Sequence, residues 1–305
     1  SFSPASFVLA LDEALIEAGV TLWLDTLVCQ ASMDGDRVVG VEVENKSGRG
    51  VLRGRCVVDA TGDADVAYRA GADCVEADNW LSMWALQVSP RSKREASAWP
   101  GEASLVTMAR LGADNKGGGA PPGSGKLQGT DAEHVTRFVL ESRRLLREHI
   151  RARQTQDGDD DRHSLFPVTL PAMAQFRTTR RIVGQAALTD GQHGTHVPTS
   201  IGLIADWRKG GYVWEIPYGA LIPRTITGLI SAGRCISSAG DAWEVTRVIP
   251  GAALTGQVAG LAAGLAVRQD TTPDRLSVQV VQEQLRRRGI PLHIAEVVKH
   301  EFTQT

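Results

Sequence analysis

Two glycine-containing turns and a group of arginines are the residues whose types and spacing could do chemistry. In Val57-Val58-Asp59-Ala60-Thr61-Gly62-Asp63-Ala64-Asp65 an apolar strand end runs into a small residue, a hydroxyl and a glycine. Backbone amides in such a turn can approach a bound anion or ring, although spacing alone is equally that of an ordinary turn. Further on, Ala232-Gly233-Arg234-Cys235-Ile236-Ser237 repeats the strand-then-glycine theme. Thr246-Arg247-Val248-Ile249-Pro250 then leads into a run of small residues, which sets Arg247 just before a helix N-terminus. An anion there meets both a cation and the positive end of a helix dipole. The plainer alternative for Arg247 is an ion pair with Asp241 or Glu244.

Arg177, Arg180 and Arg181 fall in one short run, and Arg177 and Arg180 share a face if that run is helical. Such a pair could clamp a carboxylate or sugar acid; a salt-bridged basic face is the competing explanation. Tyr218 could donate a proton to a substrate oxygen, or be a buried, hydrogen-bonded tyrosine. His193 and His196 have a spacing that two metal ligands could use on a helix, but Gly191 and Gly194 argue for a loop, so no metal is expected. Two near matches fail on single residues. Ala120 to Leu127 has Ala120 where a phosphate loop needs its first glycine and Leu127 where it needs a hydroxyl; residues 157–161 resemble a calcium loop, but Arg162 stands where glycine is required.

The elements that must position these groups follow from periodicity. Phe7, Val8, Leu11, Ala14 and Leu15 recur at helical spacing before Gly19. Residues 20–31, 37–44 and 50–53 predict a small β-meander, and Cys56-Val57-Val58 predicts a buried parallel strand feeding a helix over 66–70. A long amphipathic helix is expected over 131–153. Residues 252–267 predict a buried helix on which Gly256, Gly260 and Gly264, four apart, admit a close neighbour or ligand. A last helix is expected over 276–288, ending in Arg286-Arg287-Arg288.

Composition bounds the function classes. With 305 residues, 42% hydrophobic, and 33 basic against 35 acidic residues, the chain has the makeup of a globular protein large enough for two lobes, without the charge footprint of a nucleic-acid or membrane-surface binder. Cys29, Cys56, Cys74 and Cys235 form no CxxC pair, which fits a reducing cytoplasm. No run of about 18 apolar residues and no secretory signal is expected. A small molecule is therefore the expected partner, with a second copy of the chain or an upstream-encoded segment left open.

Four segments carry a specific resemblance: DATGDADVAYRAGA from residue 59, QFRTTRRIVG from 175, IGLIADWR with EIPYGALIPR between 201 and 224, and LISAGRCISSAGDAWEVTRVIPGAALTGQVAGLAA from 229. Together they resemble the FAD-dependent oxidoreductases, two-dinucleotide-binding flavoproteins of the glutathione-reductase-like type. The resemblance implies an α/β fold: an FAD-binding domain of parallel sheet plus β-meander from residues 1–74 and 223–305, with a substrate lobe inserted over 75–222. It implies FAD as cofactor, with Val28, Ala60, Thr61, Gly62 and Asp63 as its neighbours. Gly233 and Arg234 would lie near the ribityl-pyrophosphate, and Arg247, Ile249 and Pro250 would face the isoalloxazine ring. Hydride transfer between a small organic substrate and flavin is the implied activity, with Arg180, Tyr218 and Arg247 as candidate catalytic residues. The family opens with a strand, a GxGxxG loop and a helix, and no such unit occurs in these 305 residues. The chain is accordingly expected to be an incomplete FAD domain. The alternative is a partner-dependent subunit that keeps the scaffold without binding FAD alone.

Overall fold

A computed structural model of the chain describes residues 4–90, 93–94, 97, 106–114, 116–155, 160–170 and 173–297. Helix α1 (Pro4–Glu17) is closed by Gly19, whose φ of 69° lets its amide reach the Ile16 carbonyl. Strands β1 (Leu27–Asp34), β2 (Arg37–Asn45) and β3 (Gly48–Arg53) form the meander in that order, all antiparallel. The first strand begins later than residue 20, because Leu24 and Asp25 turn the chain, with Asp25 at φ 48°. Strand β4 (Val57–Asp59) then feeds helix α2 (Asp65–Arg69).

Beyond it lie β5 (Cys74–Glu76), β6 (Asp78–Asn79), β7 (Ser82–Val88), β8 (Thr107–Gly112), β9 (Leu127–Gln128), helix α3 (Ala132–Gln154) and β10 (Phe166–Thr169). Strands β10, β7 and β8 make an antiparallel sheet in that order. Asp131 caps α3 by accepting from the His134 amide, a contact worth about 1 kcal/mol. Phe138, Ser142, Leu146 and Ile150, four residues apart, form the buried stripe of α3. Leu146 and Ile150 pack with Met83, Ala85 and Ala109 of the sheet, while Phe138 packs with Phe176, Leu81 and Leu127. Leu127, which ends the loop that resembles a phosphate loop, is thus a core residue of this lobe.

The chain returns through β11 (Arg180–Ile182), which pairs with β5, and continues as β12 (Ser200–Ala205), β13 (Val213–Pro217) and β14 (Leu229–Ser231). Strand β14 lies parallel to β4, Ile230 opposite Val58, so the expected parallel pair is formed by segments far apart in the chain. Helices α4 (Asp241–Thr246), α5 (Ile249–Arg268), α6 (Val278–Arg287) and α7 (Ile294–Val297) complete the described fold. The largest core joins Leu188, Ile201, Trp214, Ile216 and Leu221 to Ile230, Val258, Ala262, Val281 and Leu285. Burying each Leu, Ile or Val of this set is worth about 1.5–3 kcal/mol relative to exposure.

Helix α5 is buried on one face only. Thr255, Val258, Ala259, Ala262 and Ala266 face the core, whereas Ala253, Gln257 and Gly260 are exposed. A side chain added at Gly256, Gly260 or Gly264 would meet nothing within 4 Å, so among the described residues no neighbour uses the close approach these glycines permit. Among the described residues α5 alone is, by length and composition, apolar enough to cross a bilayer, where no such run was expected; its core face is packed against β12 and α6. The last long helix starts at Val278 because Pro273–Arg275 forms a 3₁₀ turn first.

Candidate functional site

The turn after β4 is organised by the fully buried Asp59. One carboxylate oxygen accepts from the Thr61 amide at 3.1 Å and the Thr61 hydroxyl at 2.7 Å, and the other accepts from the Ala67 amide at 2.9 Å. The Thr61 hydroxyl in turn accepts from the Asp65 amide at 2.9 Å. Gly62 at φ 81° and Ala64 at φ 52° take the left-handed backbone this compact path requires. Ala60 lies between these anchors in the exposed part of the turn, and Val28 of β1 packs at the edge of the Val38, Val66, Leu229 cluster beside it.

Arg234, just after β14, locks onto this turn. Its Nε donates to the Gly62 carbonyl at 2.8 Å and its Nη2 to the Asp63 carboxylate at 2.6 Å. Asp63 also accepts from the Thr179 hydroxyl. Gly233, at φ 77°, donates its amide to the Thr255 hydroxyl at 2.9 Å, and the Trp243 indole donates to the Arg234 carbonyl at 2.7 Å. The two glycine turns are therefore one cross-linked unit beside the first turns of α5.

Arg234 also lines a cleft of about 840 Å³ together with Arg247, Arg177 and, from β8, Arg110. Trp84, Trp207 and Gln175 belong to the same walls. Arg247 ends α4 and pairs with Glu244 at 2.6 Å, the ion pair foreseen as its plainer role, while still facing the cleft. Burial lowers the pKa of the Arg177 guanidinium, and nearby Arg247 lowers it further, against Glu244 and Asp114, which raise it. Cations gathered in a half-enclosed, partly aromatic cleft are arranged to receive an anion. Asp114 at the rim accepts from the Lys116 and Gly118 amides, and these bonds lower its pKa.

The geometry gives Arg180 and Tyr218 other partners. Arg180 lies in strand β11, so Arg177 and Arg180 do not share a helix face. It is buried, with Nη2 on Asp65 at 2.7 Å, Nη1 on Glu76 at 3.4 Å, Nε on the Asp63 carbonyl at 2.9 Å, and its guanidinium over the Tyr68 ring. Tyr218 is buried and donates to the Pro273 carbonyl at 2.9 Å; burial pushes its hydroxyl pKa far above the usual phenol range. Neither lines the cleft. Ile249 and Pro250 open α5 and are exposed, next to Arg247. His193 lies in the expected loop after Asp190–Gln192, and His196 meets Glu215 and His293 rather than His193. All four cysteines are free thiols.

Several residues of this arrangement went unmarked in the sequence. Asp59 reads as a strand end, Thr179, Thr255 and Trp207 lie in segments that carry the resemblance but have no role assigned to them there, and Arg110 and Trp84 carry no motif. Asp59 offered the one available signal, a carboxylate directly after an apolar strand and two residues before a hydroxyl, the spacing of a side-chain-capped turn.

A family model described as FAD dependent oxidoreductase matches residues 1–85 and 78–285. Among solved structures, the chain is similar to a geranylgeranyl bacteriochlorophyll reductase-like protein from Thermoplasma acidophilum, at 11% identity and a TM-score of 0.40, covering 93% of this chain and 59% of the other. It is also similar to a myxobacterial chondrochloren halogenase, an FAD-dependent halogenase, at 14% identity and a TM-score of 0.39, covering 93% and 55%. The chain thus spans less than two thirds of the length of either. No curated protein sequence matches it. With the family match running through both glycine turns and the helix beyond them, the chain belongs to the FAD dependent oxidoreductase family, and FAD is its cofactor.

Proposed function

We propose that this chain is the substrate-binding and flavin-supporting part of an FAD-dependent oxidoreductase that acts on a small organic anion, a carboxylate or sugar acid. The observation that carries this reading is the convergence of Arg177, Arg234 and Arg247 on one cleft beside the start of α5. FAD, when bound, supplies the ring that exchanges a hydride with the substrate. The residues present suit such a group. Ile249 and Pro250 leave the N-terminal turn of α5 exposed, and Gly256, Gly260 and Gly264 offer a face with open space. The α5 dipole and Arg247 would favour negative charge beside that turn.

In this reading Arg177 is the anion ligand, and Arg247 serves both cleft and flavin face. Arg234 and Gly233 brace the turn that holds Ala60, Thr61, Gly62 and Asp63. Arg180 and Tyr218, engaged elsewhere, support the scaffold. The substrate lobe is best drawn over residues 77–178, because residues 188–222 share a core with 230–292. The exposed Phe7, Val8, Leu9 and Leu11 of α1 and the open stripe of α5 fit a further protein layer carrying a dinucleotide-phosphate loop. Flavin retention by the chain alone, against retention with upstream-encoded sequence attached, tests that part.

The cleft is tested by Arg177→Ala in flavin-loaded protein, with a panel of carboxylates and neutral analogues. Losing a charge-assisted contact should weaken carboxylate binding by about 10- to 100-fold and leave neutral analogues unaffected. Equal binding of all panel members by both proteins would remove the anion assignment.

A further inference from the structure

Outside the cleft, three side chains far apart in sequence meet at one point. His196 precedes β12, Glu215 lies in β13, and His293 immediately precedes α7. The His293 Nδ1 lies 2.8 Å from the Glu215 Oε2 and the His196 Nδ1 lies 3.5 Å from the same oxygen; the two imidazole rings have centroids 4.5 Å apart. One ligand atom from each residue falls within 4.8 Å of the other two, the only such trio of histidine, cysteine or carboxylate groups among the described residues.

We propose that His196, Glu215 and His293 bind a divalent transition-metal ion of the zinc class. The donor set, two imidazoles and a carboxylate, is one that zinc accepts with water as a fourth ligand. The carboxylate is preorganised for the task. The Val197 amide donates to Glu215 Oε2 and the Ile294 amide to Oε1, each at 2.8 Å, so the residues after each histidine are fastened to the carboxylate that both Nδ1 atoms approach. Two backbone donors leave the carboxylate with acceptor positions for an ion.

The distances suit this size of ion. Bonds of about 2.0–2.1 Å in a tetrahedron place ligand atoms roughly 3.3 Å apart. The 3.5 Å contact already fits, and the 2.8 Å contact must open by about half an ångström as the ion takes the place of the proton His293 shares with Glu215. With the ion on Nδ1, each neutral ring keeps its proton on Nε2. Glu215 is 2% exposed and His293 15%, but His196 is 65% exposed, which leaves a path for the ion and room for water. A cation also compensates the buried carboxylate charge. The bound ion would staple the chain before α7 to the β12–β13 hairpin.

The test is calorimetric titration of tag-free, chelator-stripped protein with Zn²⁺, and with Co²⁺ followed by absorbance. The expected result is one equivalent bound, with a tetrahedral cobalt spectrum, and affinity at least about tenfold weaker in both His196→Ala and His293→Ala. His196→Ala keeps the test independent of folding: its ring is largely exposed, so thermal stability in chelator should match that of the unsubstituted protein. Absence of stoichiometric binding would overturn the proposal. So would affinity in both variants equal to that of the unsubstituted protein, which would put the ion elsewhere.

Discussion

The guanidinium of Arg234 lies flat against the turn at Gly62, bonded to its carbonyl, with Nε only 3.1 Å from where a Gly62 Cβ would sit. Two segments separated by the whole substrate lobe are joined there, and the join stands at the edge of the cleft. Gly62→Ala must both hold φ near 81° with a Cβ and push that guanidinium aside. A loss of about 1–3 kcal/mol is expected from the backbone alone. Chemical denaturation measures it, and an unchanged midpoint would show that the turn is not held as described.

Arg180 separates a structural from a catalytic role. Arg180→Met leaves Asp65 and Glu76 without their shared cation and the Asp63 carbonyl without its donor, and stability should fall by about 2–4 kcal/mol, less than for a fully buried pair because Asp65 and Glu76 are partly exposed. Substrate affinity in the surviving folded protein should stay within about twofold, since Arg180 does not line the cleft. A large rise in KM at unchanged stability would return Arg180 to the substrate site.

Tyr218→Phe removes one buried hydrogen bond to the Pro273 carbonyl, at a cost of about 1–3 kcal/mol. Turnover of flavin-loaded protein should be unaffected. A residue that donates a proton in the reaction would instead lose about a hundredfold or more in kcat.

Asp206 and Arg208 flank the cleft residue Trp207. Arg208 donates to both carboxylate oxygens of Asp206 at 3.0 Å and also pairs with Asp241. Side-chain bonds from Arg208 depress the Asp206 pKa despite its burial. A depressed carboxylate contributes stability that is fully present above its unfolded pKa of about 3.9 and is lost as pH falls through the lower folded value. Asp206→Asn should therefore lower stability at neutral pH and flatten its decline below about pH 4. Stability curves of the two proteins that run parallel through that acid range would contradict the pairing.

Much of the fold was legible because it rests on local rules. The amphipathic spacing of Phe138, Leu146 and Ile150 announced α3, glycine after the last turn closed α1, and the Met33–Arg37 region marked the meander hairpin. Arg247 was recognisable both as a cation ahead of a helix and as a partner of Glu244, since the pair is three residues apart. The run around Arg177 was open to a helical reading, and the short strand that begins at Arg180 and pairs with β5 decided against it, a pairing that depends on residues a hundred positions away.

By itself the amino-acid sequence determined the turns, the helices, the family and hence the cofactor, since each depends on neighbouring residue types or on motifs kept in order. The tertiary structure alone decided that Arg110, Arg177, Arg234 and Arg247 face one cleft while Arg180 faces two acidic partners and the Asp63 carbonyl, and that His196, Glu215 and His293 converge. The physical reason is the same in each case. A side chain's ionic and hydrogen-bond partners are set by where distant strands pair and which faces the core buries, and those choices leave no periodic trace around the residue itself.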